Sequence, residues 1–154
     1  GGELSSDYQL TKWLDVFTSY AWQETEHDDF GDYTVDPEHK INAGLRLHHG
    51  RLHGMLAAYY VDAYNEIYLT SNPVFGRIVN ADTGEAQPAH VDSYLIVDAR
   101  VAFRPADNLE VFVAGSNIFN NEHYESNAPN GNAGNWHTGD PIGRLITLGV
   151  SCSL

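Results

Sequence analysis

Residues 94–103 read Tyr-Leu-Ile-Val-Asp-Ala-Arg-Val-Ala-Phe, a run in which every second side chain is apolar. Because successive side chains of a β-strand point to opposite faces, this run predicts a strand with one apolar and one mixed face. Asp98 and Arg100 lie in mid-strand on the mixed face. Burying an unpaired charge is costly, so that face must meet water or other polar groups rather than a sealed core.

The same alternation recurs along the rest of the chain, whereas helical periodicity is weak. We predict strands at roughly 3–10, 13–23, 39–48, 51–62, 94–103, 108–119 and 144–154. The apolar side chains of these strands occupy alternate positions and therefore share one face of the predicted sheet. They include Leu14, Val16, Ile41, Leu45, Leu95, Val97, Val101, Leu148 and Val150. The sequence therefore predicts an all-β chain of about seven antiparallel strands.

Short and long connections alternate between the predicted strands. The short ones have the size and residue types of tight turns and lie at Thr11-Lys12, His49–Arg51 and Pro105–Asn108. The long ones are rich in Gly, Asn, Asp and Pro and cover roughly 24–37, 63–92 and 120–143. Structureless connections of that length are uncommon in compact soluble domains, but they are typical of one end of a transmembrane β-barrel. We expect all three at one end of the sheet and the turns at the other.

Composition excludes several classes of protein. The chain has 21 acidic and 8 basic residues and a net charge of −13, which argues against nucleic acid as a partner. Most of the acidic residues fall in the three long connections. The single cysteine, Cys152, rules out an internal disulfide and a cysteine-based zinc site. No apolar run is long enough for a membrane-spanning helix.

Alternation alone fits a soluble antiparallel barrel equally well. Two features favour an antiparallel transmembrane β-barrel segment: aromatic residues gather at strand ends, as in interfacial girdles, and charges lie in mid-strand on the mixed face. Two alternatives stay open, a complete outer-membrane barrel of about eight strands and a soluble calyx-type ligand-binding barrel. The first requires an even strand count, and the second requires an apolar interior.

No catalytic or cofactor site is predicted. Asp98, His90 and Ser93 lack a nucleophile elbow, and the glycine-rich residues 130–134 lack the lysine and helix that bind phosphate. We therefore expect the chain not to be an enzyme. His48, His49 and His53 surround one turn, but alternation separates neighbouring side chains onto opposite faces, so no metal site is predicted from the three together.

Several stretches resemble the end of a TonB-dependent receptor barrel. Residues 20–22 and 37–45 resemble a strand–loop–strand pattern of that family. Residues 93–103 are similar to its "SYxLVDARLAY" strand, and 117–124 to its "NLFDxxY" signature. Residues 143–151 resemble its closing "GRxxxLGVS" segment. The stretches occur in the family's order and spacing and cover most of the chain.

The resemblance implies an outer-membrane barrel of about 22 strands occluded by a plug. Residues 1–154 are then the carboxy-terminal portion of the barrel, with the plug and the TonB-contacting segment upstream. The implied function is to form wall and extracellular loops of an active importer of a ferric siderophore or similar large nutrient in the bacterial outer membrane. The implied partners are the upstream barrel and plug of the same polypeptide, TonB, outer-membrane lipid, lipopolysaccharide and the nutrient itself.

Two sets of residues are candidates for function. Aromatic residues on exposed loops are often binding residues, and we single out Tyr68, Phe75, Tyr124 and Trp136 as ligand contacts. A polar ladder facing the lumen is predicted from the charged residues Arg46, Asp98, Arg100 and Arg144. Within that ladder, Arg100 or Arg144 is the predicted partner of Asp98.

Overall fold

The computed structural model describes residues 1–25, 36–66, 78–79, 86–87, 89–123 and 143–153. Its strands in chain order are β1 (Gly2–Thr11), β2 (Leu14–Trp22), β3 (His39–His49), β4 (Leu52–Val61), β5 (Tyr64–Glu66), β6 (Ile78–Val79), β7 (Ala86–Gln87), β8 (Ala89–Val91), β9 (Tyr94–Ala106), β10 (Leu109–Ser116) and β11 (Leu145–Cys152). The seven long strands form one sheet in the order β1-β2-β3-β4-β9-β10-β11. Every neighbouring pair is antiparallel, which confirms the predicted all-β fold of seven strands.

The two ends of the sheet carry different connections. Two-residue turns at Lys12-Trp13, Gly50-Arg51 and Asp107-Asn108 lie at one end, which we call the turn edge. The strand ends that flank the three long connections all lie at the other end, the loop edge, as predicted. Gly50 has a φ of 59° and Arg51 does not have a positive φ, which is the pattern of a type II′ hairpin turn.

The strand register sorts the side chains into two faces. One row of cross-strand partners contains Tyr8, Val16, Leu45, Leu56, Ala99, Gly115 and Ile146. The adjacent row contains Asp15, Arg46, Met55, Arg100, Ala114 and Thr147. Because alternate rows point to the same side, the sheet has an apolar face, which carries the first row, and a polar face, which carries the second.

The apolar face does not enclose a core among the described residues. Leu95, Leu148 and Val150 on this face are 50%, 81% and 68% exposed. The fully buried alanines, Ala57 and Ala102, lie on the polar face instead. A calyx-type barrel would bury its apolar face, so this alternative disagrees with the structure.

The aromatic side chains at the strand ends divide between the two faces. Those that lie on the apolar face near its edges are Tyr8, Tyr20, Trp22, Tyr60 and Phe103. Tyr59 and Tyr94, which also lie at strand ends, point to the polar face and therefore do not belong to a girdle on the apolar face. Alternation provides the reason, since Tyr59 and Tyr60 are neighbours and cannot share a face.

The sheet is open, because β1 and β11 are its two edges and do not pair with each other. This disagrees with a complete small barrel, in which the first and last strands close the wall. Across the described residues there is no helix of the length and hydropathy needed to span a membrane.

A preparation of the 154-residue chain alone is expected to associate in detergent rather than remain a monomer. Each open edge presents unpaired backbone groups, and each such group costs several kcal/mol in hydrocarbon. Light scattering or native mass spectrometry measures the outcome. A single monodisperse monomer with β1 hydrogen-bonded to β11 would contradict the expectation.

Candidate functional site

The polar face carries most of the ordered charge of the sheet and is the candidate functional surface. Its central row places Met55, which is 39% exposed, between Arg46 and Arg100. Toward the loop edge lie Asn42 and Tyr59, which are cross-strand partners. The two arginines are therefore separated by one strand and do not touch each other across it.

The guanidinium of Arg46, on the polar face, lies over the ring of Phe17. Phe17 is the cross-strand partner of Gly44, and a Cβ at Gly44 would stand only 2.7 Å from Cε1 of the Phe17 ring. The ring thus occupies the space that the glycine leaves open. The Arg46 guanidinium carbon is 4.3 Å from the ring centroid, and its Nη1 is 2.6 Å from Oδ1 of Asp7. A cation–π contact and an ion pair together orient the side chain.

Arg100 repeats this arrangement on the other side of β4. Phe112 is the partner of Gly149, and the Arg100 guanidinium carbon lies 4.5 Å from the Phe112 centroid. Glu110 accepts from Nη2 of Arg100 at 2.5 Å and from Nε of Arg104 at 2.9 Å. The polar face thus contains two arginine–phenylalanine–glycine units, in which each arginine is paired with a carboxylate.

The predicted partner of Asp98 was wrong. Its carboxylate accepts a hydrogen bond from Oγ of Ser116 at 3.0 Å and from the backbone N–H of Asn117 at 2.9 Å, not from Arg100 or Arg144. Asp98 and Arg100 share a face but stand two residues apart along one strand, so their Cα atoms are separated by about 6.6 Å. Ser116 and Asn117, at the end of the neighbouring strand β10, lie within hydrogen-bonding distance of Asp98 instead.

Arg144 does not join the row of charges on the polar face. It lies one residue before β11, where its backbone N–H donates to Oδ1 of Asn120 at 3.0 Å. Its guanidinium is 3.5 Å from the carbonyl oxygen of Ile118. Arg46, Asp98 and Arg100 do share the polar face, and their exposure to a lumen stays a prediction.

Sequence reasoning missed the turn after β10, which Asn117 organises. Asn117 is 1% exposed and has a φ of 50°. Its Oδ1 accepts from the Asn121 backbone N–H at 2.9 Å, and its Nδ2 donates to the Asn121 carbonyl at 2.8 Å. The Asn121 side chain donates in turn to the carbonyl of Leu95 in β9 at 3.0 Å. The sequence signal is an asparagine at the end of a strand, since asparagine tolerates a left-handed backbone.

Replacing Asn117 with alanine is expected to open this turn. The Asn117→Ala variant leaves backbone groups of Asn121 without their partners, at a cost of about 1–2 kcal/mol. Hydrogen exchange at the Asn121 amide should become about tenfold faster, since tenfold corresponds to 1.4 kcal/mol. Asn108→Ala, in an exposed turn at the opposite edge, is the matched control. Unchanged protection in Asn117→Ala would contradict the role assigned to its side chain.

The three histidines near one turn are divided between the faces, as alternation predicted. His48 and His53 are cross-strand partners on the polar face, with ring centroids 5.8 Å apart. His49 pairs with Leu52 on the apolar face. Nε2 of His48 lies 3.3 Å from Oδ2 of Asp15. Within the ranges that the structure describes, no three His, Cys, Asp or Glu side chains converge on a metal position.

The predicted ligand contacts Tyr68, Phe75, Tyr124 and Trp136 lie outside the described residues. Their role stays a prediction.

A family model described as "TonB dependent receptor-like, beta-barrel" matches residues 1–118. No curated protein sequence matches the chain.

Similar folds occur among solved structures. The copper transporter OprC has a TM-score of 0.72 and 22% identity and is matched over 100% of this chain and 23% of its own. Pseudomonas aeruginosa FpvA bound to heterologous pyoverdines has a TM-score of 0.67 and 16% identity, and the match covers 97% of this chain and 19% of FpvA. The ferric-catecholate import receptor Fiu of Escherichia coli K12 has a TM-score of 0.66 and 19% identity, and the match covers 97% of this chain and 20% of Fiu. The chain spans about a fifth of the length of these proteins.

Proposed function

This chain belongs to the TonB-dependent receptor-like β-barrel family, and on that premise we propose that it is the carboxy-terminal portion of the barrel of a longer outer-membrane importer. Members of the family are receptors and transporters in the outer membrane of Gram-negative bacteria and are not enzymes. The observation that carries the proposal is the pair of opposite faces on one open sheet.

In the proposed arrangement the apolar face meets lipid and the polar face lines the lumen. The apolar side chains are exposed in every part of the sheet, from Leu4 at 73% in β1 to Leu148 at 81% in β11. Exposed apolar surface on that scale needs a cover, and hydrocarbon covers it without further protein. The charges of the polar face, by contrast, remain in contact with water or with a polar plug.

The open edges support a longer polypeptide. We propose that β1 pairs with an upstream strand and that β11 pairs with the first strand of the barrel, so that all backbone groups in the membrane are satisfied. The plug and the segment that contacts TonB then precede this chain in the sequence. Lipopolysaccharide is the proposed neighbour of the apolar face at the loop edge.

The proposed substrate is a ferric siderophore or another nutrient of similar size. The neighbours in structure include a copper transporter, a ferric-catecholate receptor and a receptor bound to pyoverdines. The three long connections, with Tyr68, Phe75, Tyr124 and Trp136, are the proposed capture surface. Aromatic side chains there supply large contact areas at low entropic cost.

Uptake by the intact polypeptide tests this function. We expect the protein in the outer-membrane fraction, and we expect iron accumulation from at least one member of a siderophore panel, supplied with labelled iron, to depend on TonB. Trp136→Ala and Tyr68→Ala should reduce the affinity for that siderophore, whereas Trp13→Ala at the turn edge should not. Uptake of a siderophore without TonB, or a protein found only in soluble fractions, would contradict the proposal.

A further inference from the structure

His48 and His53 form a cross-strand pair of imidazoles that the proposed function leaves unused. We propose that this pair binds one divalent transition-metal ion on the polar face, at the turn edge, through two protein ligands and water. The site depends only on the packing of β2, β3 and β4 and requires no part of the proposed import function.

The hairpin geometry brings the two rings toward each other. The type II′ turn at Gly50-Arg51 makes His49 and Leu52 the closing hydrogen-bonded pair, so the next pair, His48 and His53, lacks hydrogen bonds to each other. The observed backbone hydrogen bonds are consistent with this pattern, because the N–H of His48 donates to the carbonyl of Trp13 at 2.8 Å and not to β4. Side chains at such positions stand closer together than at hydrogen-bonded ones.

The distance between the rings suits a shared ion. Two ligand nitrogens at zinc are about 3.3 Å apart, given Zn–N bonds of about 2.0 Å in a tetrahedral site. The ring centroids are 5.8 Å apart and the rings are inclined by 68°. The site that we propose requires each side chain to rotate so that one nitrogen of each ring is directed toward a common point. The His48 side chain is 50% exposed, which permits this rotation and lets water fill the remaining positions.

Asp15 orients one of the two ligands. Its Oδ2 lies 3.3 Å from Nε2 of His48. Once the imidazole turns so that Nε2–H donates to this carboxylate, Nδ1 carries the lone pair that binds a metal. Ligating histidines commonly hold a carboxylate on their second nitrogen in this way. Arg46, two residues before His48 on the same face of β3, is directed toward Asp7 and the ring of Phe17. Asp15 is therefore a positioning residue, and the two imidazoles are the ligands.

Copper(II) is the probe that tests the site, because its paramagnetic resonance spectrum reports the number of bound nitrogens. The intact polypeptide in detergent is expected to bind one Cu²⁺ through two imidazole nitrogens at the pair. His48→Asn and His53→Asn should each remove one nitrogen from the spectrum and weaken binding at least about tenfold. Asp15→Asn should retain both nitrogens and weaken binding about tenfold.

The chain supplies a matched control at the same turn. His49→Asn removes an imidazole from the opposite face and should leave both the spectrum and the affinity unchanged. If a His48 or His53 variant fails to insert, His48→Gln and His53→Gln repeat the measurement with a longer amide. A copper signal that survives both His48 and His53 substitutions, or that is lost equally in His49→Asn, would overturn the proposal. Neither result bears on TonB-dependent uptake.

Discussion

Gly44→Ala should destabilise the barrel by about 3 kcal/mol, the upper end of what overpacking costs. The added methyl group would overlap both the ring of Phe17 and the backbone carbonyl oxygen of Leu56. The ring can rotate, but it would then lose its place beneath Arg46. The carbonyl belongs to the neighbouring strand and moves only if β3 and β4 separate. A lower denaturant midpoint of the intact receptor in detergent measures the loss.

Gly54→Ala is the control for this prediction. Gly54 also lies in the sheet, but its added methyl would stand 3.4 Å from Cβ of Leu47, an ordinary contact on the apolar face. We expect a change within about 0.5 kcal/mol. Gly149→Ala should fall between the two, because its methyl meets only the ring of Phe112 within close range. Equal stability of the Gly44 and Gly54 variants would show that the Phe17 ring and the Leu56 carbonyl do not constrain position 44.

Leu148→Arg should destabilise the inserted protein by about 2–4 kcal/mol, the cost of an arginine on the lipid face near mid-membrane. Leu148 is the fourth residue of the eight in β11 and is 81% exposed. In a protein surrounded by water, an arginine at so exposed a position would cost little. The size of the effect therefore distinguishes lipid from water on this face. Unfolding of the receptor in phospholipid vesicles measures it.

Thr147→Arg provides the matched comparison for the opposite face. Thr147 precedes Leu148, is also exposed, and pairs with Ala114 on the polar face. We expect a change below about 0.5 kcal/mol there. If Thr147→Arg proved the more costly of the two, the polar face would be the one in lipid and the proposed orientation of the wall would be reversed.

The strands of the sheet and their two faces could be predicted from the local sequence pattern alone. The alternation along residues 94–103 placed Leu95 and Val101 on one face and Asp98 on the other, and the register bears this out. The period of two is a property of the extended backbone, so it holds without knowledge of the neighbouring strands. The residue preferences of turns are equally local, and the turn predicted around Gly50 is found between β3 and β4.

The partners of charged side chains depended on register, which local pattern does not specify. Arg104 reaches Glu110 because the register that pairs Val111 with Phe103 continues to these two residues, just before the pairing of β9 and β10 shifts toward Leu109. Such a bulge inserts residues on one strand and redirects the side chains beside it. Pro105 follows Arg104 in the sequence, but the local sequence does not predict which carboxylate pairs with this arginine.

By itself, then, the sequence determined the strands, their two faces, and the alternation of short turns with long connections, because each arises from the geometry of a single extended segment. Only the tertiary structure decided that Phe17 lies over Gly44, that Asp98 accepts from Ser116, and that His48 faces His53 beside Asp15. These contacts join separate strands, and the register that brings them together is set by turns and a bulge acting across the whole sheet.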